Sequence, residues 1–101
     1  MNQPPLIIIA RIQAKSEQVA VVKAEALKLI NPTLKEQGCL QYDMHQDNQD
    51  PALFLFYERW ATRELWQDHM QNTHLKAFAS ATEGAIESLS INEILRLTAE
   101  E

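Results

Sequence analysis

LFLFYERW (Leu53–Trp60) is the most strand-like segment of this sequence. Its aromatic and aliphatic residues favour an extended backbone, and a strand turns successive side chains to opposite faces. Here both faces are apolar: one carries Phe54, Phe56 and Trp60, and the other carries Leu53, Leu55 and Tyr57. A strand with one face in water should alternate apolar and polar residues. The segment therefore predicts a strand that is covered on both sides.

Three further strands are predicted around this segment. Leu6–Gln13 is rich in β-branched residues and follows two prolines, and Ile86–Leu97 alternates apolar and polar residues. Cys39–Gln46 precedes the turn-forming loop Asp47–Pro51. Because this loop is short, Cys39–Gln46 and Leu53–Trp60 are predicted to form an antiparallel hairpin.

Two helical regions are predicted between the strands. In the first, Ser16 is the expected N-cap, and Pro32 should kink or end the helix near Ile30–Asn31. In the second, Thr62 is expected to cap one helix and Thr73 a further turn. The resulting order, β-α-β-β-α-β, is that of a single ferredoxin-like α+β domain. It would span residues 1–101, with its core at about residues 6–97.

This fold class predicts a homodimer. Both helical regions of such a domain pack on one face of the sheet, so the second apolar face needs another cover. Exposing it would leave in water several side chains that are each worth about 1.5–3 kcal/mol when buried. A second copy of the sheet, stacked face to face in a symmetric pair, is the simplest cover. A monomer with a large apolar groove for a ligand is the alternative.

Charge and composition exclude some partners. The chain has 101 residues, a net charge of −5 and nine scattered Lys and Arg residues, so we expect no nucleic-acid partner. Cys39 is the only cysteine, which fits a reducing compartment and an inert thiol. The apolar run Leu6–Ile9 lacks the flanks of a signal peptide, and no run approaches the roughly 20 apolar residues of a membrane span. We expect a soluble, cytoplasmic protein with no membrane partner.

The candidate site is a set of polar and aromatic residues around the third strand and the second helical region. The sequence lacks a phosphate loop, a GxGxxG fingerprint, a CxxC pair and a GxSxG elbow. The set that remains contains Tyr42, Glu58, Trp60, Trp66, His69, Asn72, Thr73 and His74. A small-molecule site is therefore expected here if the chain has one.

His69 lies on the apolar side of its predicted helix, where an imidazole can act as a general base. The alternative is a histidine at the edge of the core that is hydrogen-bonded to backbone. A metal site formed by His69 and His74 is not expected, because the HExxH spacing is absent and no Cys or second carboxylate is suitably placed. Glu58 is a candidate contact for a substrate, or alternatively a member of an ion pair with Arg11 or Arg96.

Three segments resemble the antibiotic biosynthesis monooxygenase family. They are PTLKEQGC at Pro32–Cys39, YERW at Tyr57–Trp60 and HMQNTH at His69–His74. The specificity lies in the occurrence of all three in this order at these separations. The resemblance extends from Ile7 to about Leu97, and within the family it points to the small bacterial quinol monooxygenases.

The resemblance implies a dimer whose two sheets form a shared barrel, with a cavity between sheet and helices in each subunit. Many family members oxidise quinols or polycyclic phenols with molecular oxygen and with no metal or flavin cofactor. By resemblance, His69 or His74 is a base or an oxyanion donor, and Tyr42 and Asn72 orient the substrate. The cavity walls would include Trp60, Trp66 and Phe78.

Two other branches of the family fit less well. The heme-degrading branch uses a first-strand Asn, a helix Trp and a downstream His, and these positions fall here on about Ile9, His69 and Ala79. No heme is therefore expected. The branch that isomerises a phosphorylated autoinducer uses a histidine near the end of the first helix, where this chain has Leu29–Pro32 and no imidazole.

The leading hypothesis is a cofactor-independent monooxygenase that oxidises a quinol or related phenolic aromatic with O₂. One alternative is an acid–base isomerase that uses the same cavity. The other is a non-catalytic dimer that binds a small molecule. The fold alone does not choose among them, because function depends on the site.

Overall fold

A computed structural model of the chain describes residues 4–99, which form a four-stranded antiparallel sheet with helices on one face. The elements in chain order are β1 (Leu6–Ala14), α1 (Val19–Leu27), α2 (Ile30–Leu34), β2 (Cys39–Gln46), β3 (Leu53–Trp60), α3 (Arg63–Met70), α4 (Thr73–Ala81) and β4 (Ile86–Ile94). The strand order in the sheet is β2-β3-β1-β4. The predicted ferredoxin-like α+β fold is confirmed, with each helical region divided into two short helices.

The predicted hairpin of β2 and β3 is present, and β1 and β3 form the centre of the sheet. Antiparallel pairing places Tyr42 of β2 opposite Glu58 of β3, and Glu58 opposite Ile8 of β1. At the turn, the Asp47 carboxylate accepts the backbone N–H groups of Gln49 and Asp50. The pairing fixes which side chains of neighbouring strands share a face.

The core lies on the helix-covered face of the sheet. In β3 the side chains of Phe54, Phe56, Glu58 and Trp60 are buried, while those between them are half-buried. The helices contribute the apolar residues Val22, Ala26, Leu29 and Trp66 to the same core. The side chains on this face of β3 thus form part of the core, and Glu58 is the carboxylate among them.

The opposite face of the sheet has an apolar centre. Alternation along β1 and β3 turns Ile7, Ile9, Leu53, Leu55 and Tyr57 to this side. None of them belongs to the core that the helices of the described chain complete. The prediction that both faces of the central strands are apolar therefore holds, and the helices cover one of them.

The first helical region differs from its prediction in two respects. Gln18, not Ser16, stands at the N-cap of α1, and its side chain makes no capping bond; the Ser16 hydroxyl donates to Glu17 instead. The helix ends at Leu27 and a second one begins at Ile30. Pro32 is the third residue of α2, where a missing N–H costs no helical hydrogen bond because the first turn's donors have no partner within the helix.

The second helical region and the last strand differ in smaller ways. Thr62 caps α3 as predicted, its hydroxyl accepting the Leu65 N–H at 3.1 Å. Asn72, not Thr73, caps α4. The final strand ends at Ile94, short of the predicted Leu97. Its partner β1 begins at Leu6 after two prolines, which have no N–H with which to extend the ladder.

Within residues 4–99, no helix is long and apolar enough to cross a membrane.

Candidate active site

A cavity of about 480 Å³ lies between the sheet and helices α3 and α4. Its walls are mostly apolar and include Ile8, Phe56, Trp66, Leu75 and Phe78. Four buried side chains with polar groups also line it: Tyr42, Glu58, His69 and Thr82. A volume of this size with few convergent polar groups is typical of a small-molecule site.

Glu58 reaches the cavity because the alternation of β3 turns it to the helix side. Two residues further on, Trp60 shares that face, and its indole N–H donates to Glu58 Oε1 at 2.9 Å. Burial raises the pKa of Glu58 to about 7, and the hydrogen bond from Trp60 opposes this rise. Glu58 therefore titrates near neutral pH, where a carboxyl group can exchange protons with a ligand.

The predicted ion pair between Glu58 and Arg11 or Arg96 is wrong. Arg11 pairs with Leu55 in the sheet register and so lies on the opposite face, where its guanidinium donates to Asn92 at 3.1 Å. Arg96 follows the end of β4 and is exposed. Glu58 instead accepts a hydrogen bond from the indole of Trp60. The indole is uncharged and does not offset the negative charge of the Glu58 carboxylate.

His69 is buried on the apolar side of α3, as its spacing predicted, and lines the cavity. Its Nδ1 lies 2.7 Å from Glu36 Oε2, and its Nε2 lies 4.0 Å from Glu58 Oε1. The ring also packs on Trp60, with ring centroids 4.6 Å apart. Burial lowers the pKa of His69, and the hydrogen bond to Glu36 opposes that change. A neutral imidazole at pH 7 can serve as a general base.

Glu36 is the site residue that sequence reasoning missed. It lies in the turn between α2 and β2, and its Oε2 is 2.7 Å from both His69 Nδ1 and His74 Nε2. The Thr33 hydroxyl is 3.2 Å from the same His74 nitrogen. The only local signal was its place in the PTLKEQGC segment, since more than thirty residues separate Glu36 from either histidine.

Glu36, His69 and His74 bring three donor atoms within 4.8 Å of one another, a spacing that can hold a metal ion. The sequence predicted no metal site, because the HExxH spacing is absent and no Cys or second carboxylate was suitably placed. The fold brings the Glu36 carboxylate beside both histidines. The 2.7 Å separations are nevertheless those of hydrogen bonds. Two ligands of one tetrahedral ion, each about 2.1 Å from it, would lie about 3.4 Å apart. The distances therefore favour a carboxylate shared by two imidazoles.

The other predicted residues fall into two groups. Tyr42, Trp66 and Phe78 line the cavity, as expected. Burial and then the charge of Glu58 raise the pKa of Tyr42, so its phenol stays protonated. The indole N–H of Trp66 is buried and has no hydrogen-bond partner in the described part of the chain. A ligand oxygen is one group that can satisfy such a donor.

Four predicted residues lie outside the cavity lining: Trp60, Asn72, Thr73 and His74. Trp60 is fully buried behind Glu58 and His69 and supports both. The Asn72 side chain accepts the Thr73 N–H as the cap of α4, so the expectation that Asn72 orients a substrate is corrected to a structural role. His74 is separated from the cavity by Glu36 and His69. Of the two histidines, His69 thus lines the cavity, and His74 contacts Glu36 behind it.

Cys39 follows the turn that carries Glu36 and is partly buried. Burial, and then the nearby charge of Glu36, raises the pKa of its thiol. A thiol held in its protonated form is a poor nucleophile, which agrees with the expectation that Cys39 is inert.

Comparison with known proteins identifies relatives of this chain. The family model described as Antibiotic biosynthesis monooxygenase matches residues 5–81. The crystal structure of PA3566 from Pseudomonas aeruginosa superposes with a TM-score of 0.92 at 32% identity, covering 97% of this chain and 99% of PA3566. A Mycobacterium tuberculosis protein named "Putative monooxygenase Rv0793" is 30% identical over 70 residues, which are 69% of this chain and 68% of Rv0793.

A third relative is longer than this chain. The uncharacterised protein sll1783 of Synechocystis is 27% identical over 74 residues. These residues are 73% of this chain but 50% of sll1783, so the chain matches about half the length of that relative.

Proposed function

The chain belongs to the antibiotic biosynthesis monooxygenase family, and we propose that it is a cofactor-independent monooxygenase that oxidises a quinol or a related phenolic aromatic with O₂. The observation that carries the proposal is the state of His69. This imidazole lines an apolar cavity, has Nδ1 hydrogen-bonded to Glu36, and keeps Nε2 free on the side of Glu58. Transfer of the phenolic proton to such a base makes the ring more electron-rich and speeds its electron transfer to oxygen.

The proposed reaction begins with proton transfer from the phenolic hydroxyl to His69 Nε2. The phenolate passes one electron to O₂, and the two radicals combine through a new bond between a ring carbon and oxygen. The O–O bond of the peroxide then breaks as the ring carbon loses its hydrogen. One oxygen remains as a carbonyl and the other leaves as water, with a proton returned by His69. The substrate thus loses two hydrogen atoms and gains one oxygen atom.

The cavity wall supplies the remaining contributions. The apolar side chains Trp66, Leu75 and Phe78 would hold the aromatic ring and keep water from the radical pair. The protonated phenol of Tyr42 and the unpaired indole N–H of Trp66 are hydrogen-bond donors for oxygen atoms on which charge develops. Glu58 would accept a hydrogen bond from the substrate beside His69.

Oxygen uptake tests this proposal. Purified protein is incubated with a panel of reduced naphthoquinones, with and without a chelator, and the autoxidation rate of each quinol is subtracted. We expect uptake that is saturable and unaffected by the chelator. The control variant Glu25→Gln removes a half-buried charge that pairs with Lys28 outside the cavity lining, and it should match the wild type. Uptake no faster than autoxidation across the panel would reject the proposal.

The same cavity supports a second candidate function, an acid–base isomerase. Burial raises the pKa of Glu58 to about 7 and lowers the pKa of His69, so the carboxyl group favours holding a proton and the imidazole favours giving one up. Two such groups 4.0 Å apart can move a proton between two substrate carbons without oxygen. Product formation under strictly anaerobic conditions would favour this isomerase over the monooxygenase.

We also propose that the chain works as a homodimer in the cytoplasm. The sheet face opposite the helices has the apolar centre Ile7, Ile9, Leu53, Leu55 and Tyr57, of which Ile7 is buried and the other four are half-buried. A second copy of the same face is self-complementary to it, because its apolar centre meets an equal centre across a two-fold axis. A reducing compartment is consistent with the single cysteine.

A further inference from the structure

The Glu36 carboxylate holds two imidazoles at once. One oxygen, Oε2, lies 2.7 Å from His69 Nδ1 and 2.7 Å from His74 Nε2. The three side chains come from the α2–β2 turn, α3 and α4, so the cluster joins three separate segments of the chain. Two contacts this short to one oxygen define the direction of hydrogen bonding, and with it the tautomer of each ring.

A carboxylate oxygen accepts hydrogen bonds and has none to give, so both ring nitrogens must donate. His69 therefore carries its proton on Nδ1. In the neutral ring this leaves Nε2 as the unprotonated nitrogen, on the side that lies 4.0 Å from Glu58. The opposite tautomer would present an N–H to the substrate hydroxyl and would have no lone pair with which to take its proton.

The burial of Glu36, His69 and His74 strengthens the preference of His69 for the tautomer protonated at Nδ1. The side chains of His69, Glu36 and His74 are 2%, 11% and 19% exposed, so water competes weakly for their hydrogen bonds. Hydrogen bonds to a charged group are about twice as strong as neutral ones. The turn that carries Glu36 is itself fixed, because Gly38 adopts φ +85° and its carbonyl accepts the Ala61 N–H at 2.8 Å.

We propose that Glu36 is a positioning residue that fixes the tautomer and orientation of His69, and that His74 holds Glu36 in place for this task. His74 anchors the carboxylate from the side away from the cavity, with Thr33 3.2 Å from the same ring nitrogen. The consequence for turnover rests on the proposed function. The tautomer of His69 is a property of the folded protein and does not depend on the proposed function.

Nitrogen-15 spectra of ring-labelled histidine test the structural half of the proposal. At pH 8 the wild type should show His69 protonated at Nδ1 and unprotonated at Nε2. In Glu36→Leu, which removes the acceptor, the His69 signals should shift toward an exchange average of both tautomers. His45, on the opposite face of the sheet, should keep its signals in every variant. A wild-type His69 protonated at Nε2, or a His69 unchanged in Glu36→Leu, would overturn the proposal.

A second pair of variants guards against misfolding of Glu36→Leu. His74→Leu removes the N–H that holds Glu36, whereas His74→Gln retains an N–H donor. We expect His74→Leu to disturb the His69 tautomer and His74→Gln to preserve it. Equal His69 spectra in these two variants would contradict the anchoring role of His74.

Steady-state kinetics of quinol oxidation test the catalytic half of the proposal. If the wild type oxidises quinols, Glu36→Leu should lower kcat at least about tenfold with KM changed less than about twofold, because the base is disturbed and the cavity walls are not. His74→Gln should recover most of the kcat that His74→Leu loses. An unchanged kcat in Glu36→Leu would contradict the positioning role. Wild-type protein with the expected tautomer and no oxygen uptake would instead reject the proposed function and leave the tautomer assignment standing.

Discussion

At the scale of single residues, the cavity combines two groups whose ionisation is set by burial. Glu58 has its pKa raised to about 7, and His69 has its pKa lowered from 6.5. The first change arises mainly from loss of water around a carboxylate, and the second from loss of water around an imidazolium. Perturbed groups that face one cavity are typical of sites that exchange protons with a ligand.

The first prediction concerns the stability cost of Glu58. The folded protein binds a proton at Glu58 more tightly than the unfolded chain, whose value is near 4.5. The contribution of this proton binding to the free energy of unfolding is therefore complete below pH 4.5. It is lost as the pH rises through 7, by at most about 3 kcal/mol. Glu58→Gln should remove this decline and should be more stable than the wild type at pH 8. Urea unfolding at several pH values measures the unfolding free energies of the wild type and Glu58→Gln. Parallel pH profiles for the two proteins would contradict the prediction.

The second prediction separates the two histidines. His69→Ala removes the proposed base and should lower kcat by about 10²–10⁴-fold, whereas His74→Ala acts only through Glu36 and should cost less. Neither change should unfold the protein, which circular dichroism can confirm. Equal losses in both variants would mean that His74 also acts on the substrate, and wild-type rates in both would place the chemistry elsewhere.

At the scale of elements, the turn between α2 and β2 determines where Glu36 lies. Gly38 has φ +85°, and a Cβ at this position would collide with the Leu65 side chain of α3. The turn and α3 are therefore packed in direct contact, and this contact brings Glu36 against His69. Gly84 has a similar φ of +79° but open space around the position of a Cβ.

These two glycines provide a matched third prediction. Gly84→Ala should cost about 1–2 kcal/mol, the strain of a left-handed backbone with a side chain. Gly38→Ala adds a steric conflict to the same strain and should cost more, by about 1–3 kcal/mol. Urea unfolding of both variants measures the difference. Equal losses of unfolding free energy in Gly38→Ala and Gly84→Ala would contradict the prediction, because α3 would then move away from the turn without an energetic cost.

The elements also show how far sequence reasoning reaches. The apolar faces of β3 and the order of elements were sufficient for the fold, since periodicity and turn residues are local signals. The cap at Thr62 was predictable for the same reason. The break between Leu27 and Ile30 lies slightly before the predicted Ile30–Asn31, because Pro32 has no N–H to bond to the carbonyl four residues earlier, at Lys28. His69 was found from its helical spacing. Glu36 was missed because its contacts are long-range, and Asn72 was misassigned because a capping amide resembles a substrate contact in sequence.

At the scale of the whole molecule, the helices and the cavity occupy one face of the sheet and leave the apolar centre of the other face to the proposed partner. Burying that centre separates the two functions of the sheet, since one face would hold the substrate and the other the second copy. These side chains are already buried or half-buried in one chain, so association would gain only from the apolar area that is still exposed, at about 25 cal/mol per Å².

The fourth prediction tests the dimer. Sedimentation at micromolar concentration should give the wild type about twice the chain mass of 11.6 kDa. Leu55→Glu places a charge in the centre of the sheet face opposite the helices and should reduce the mass to that of one chain. Leu34→Glu, at an exposed position on α2, is the matched control and should keep the mass of the wild type. A wild-type mass near 11.6 kDa would contradict the dimer.

The most direct test of the account is the fate of isotopically labelled oxygen. Metal-free protein that turns over a quinol under ¹⁸O₂ should yield a product with one ¹⁸O atom and one molecule of labelled water, and His69→Ala should form this labelled product about 10²–10⁴-fold more slowly. Mass spectrometry of the product measures the result. A product without ¹⁸O, or one that forms equally well without oxygen, would contradict the claim that this cavity hosts a monooxygenase.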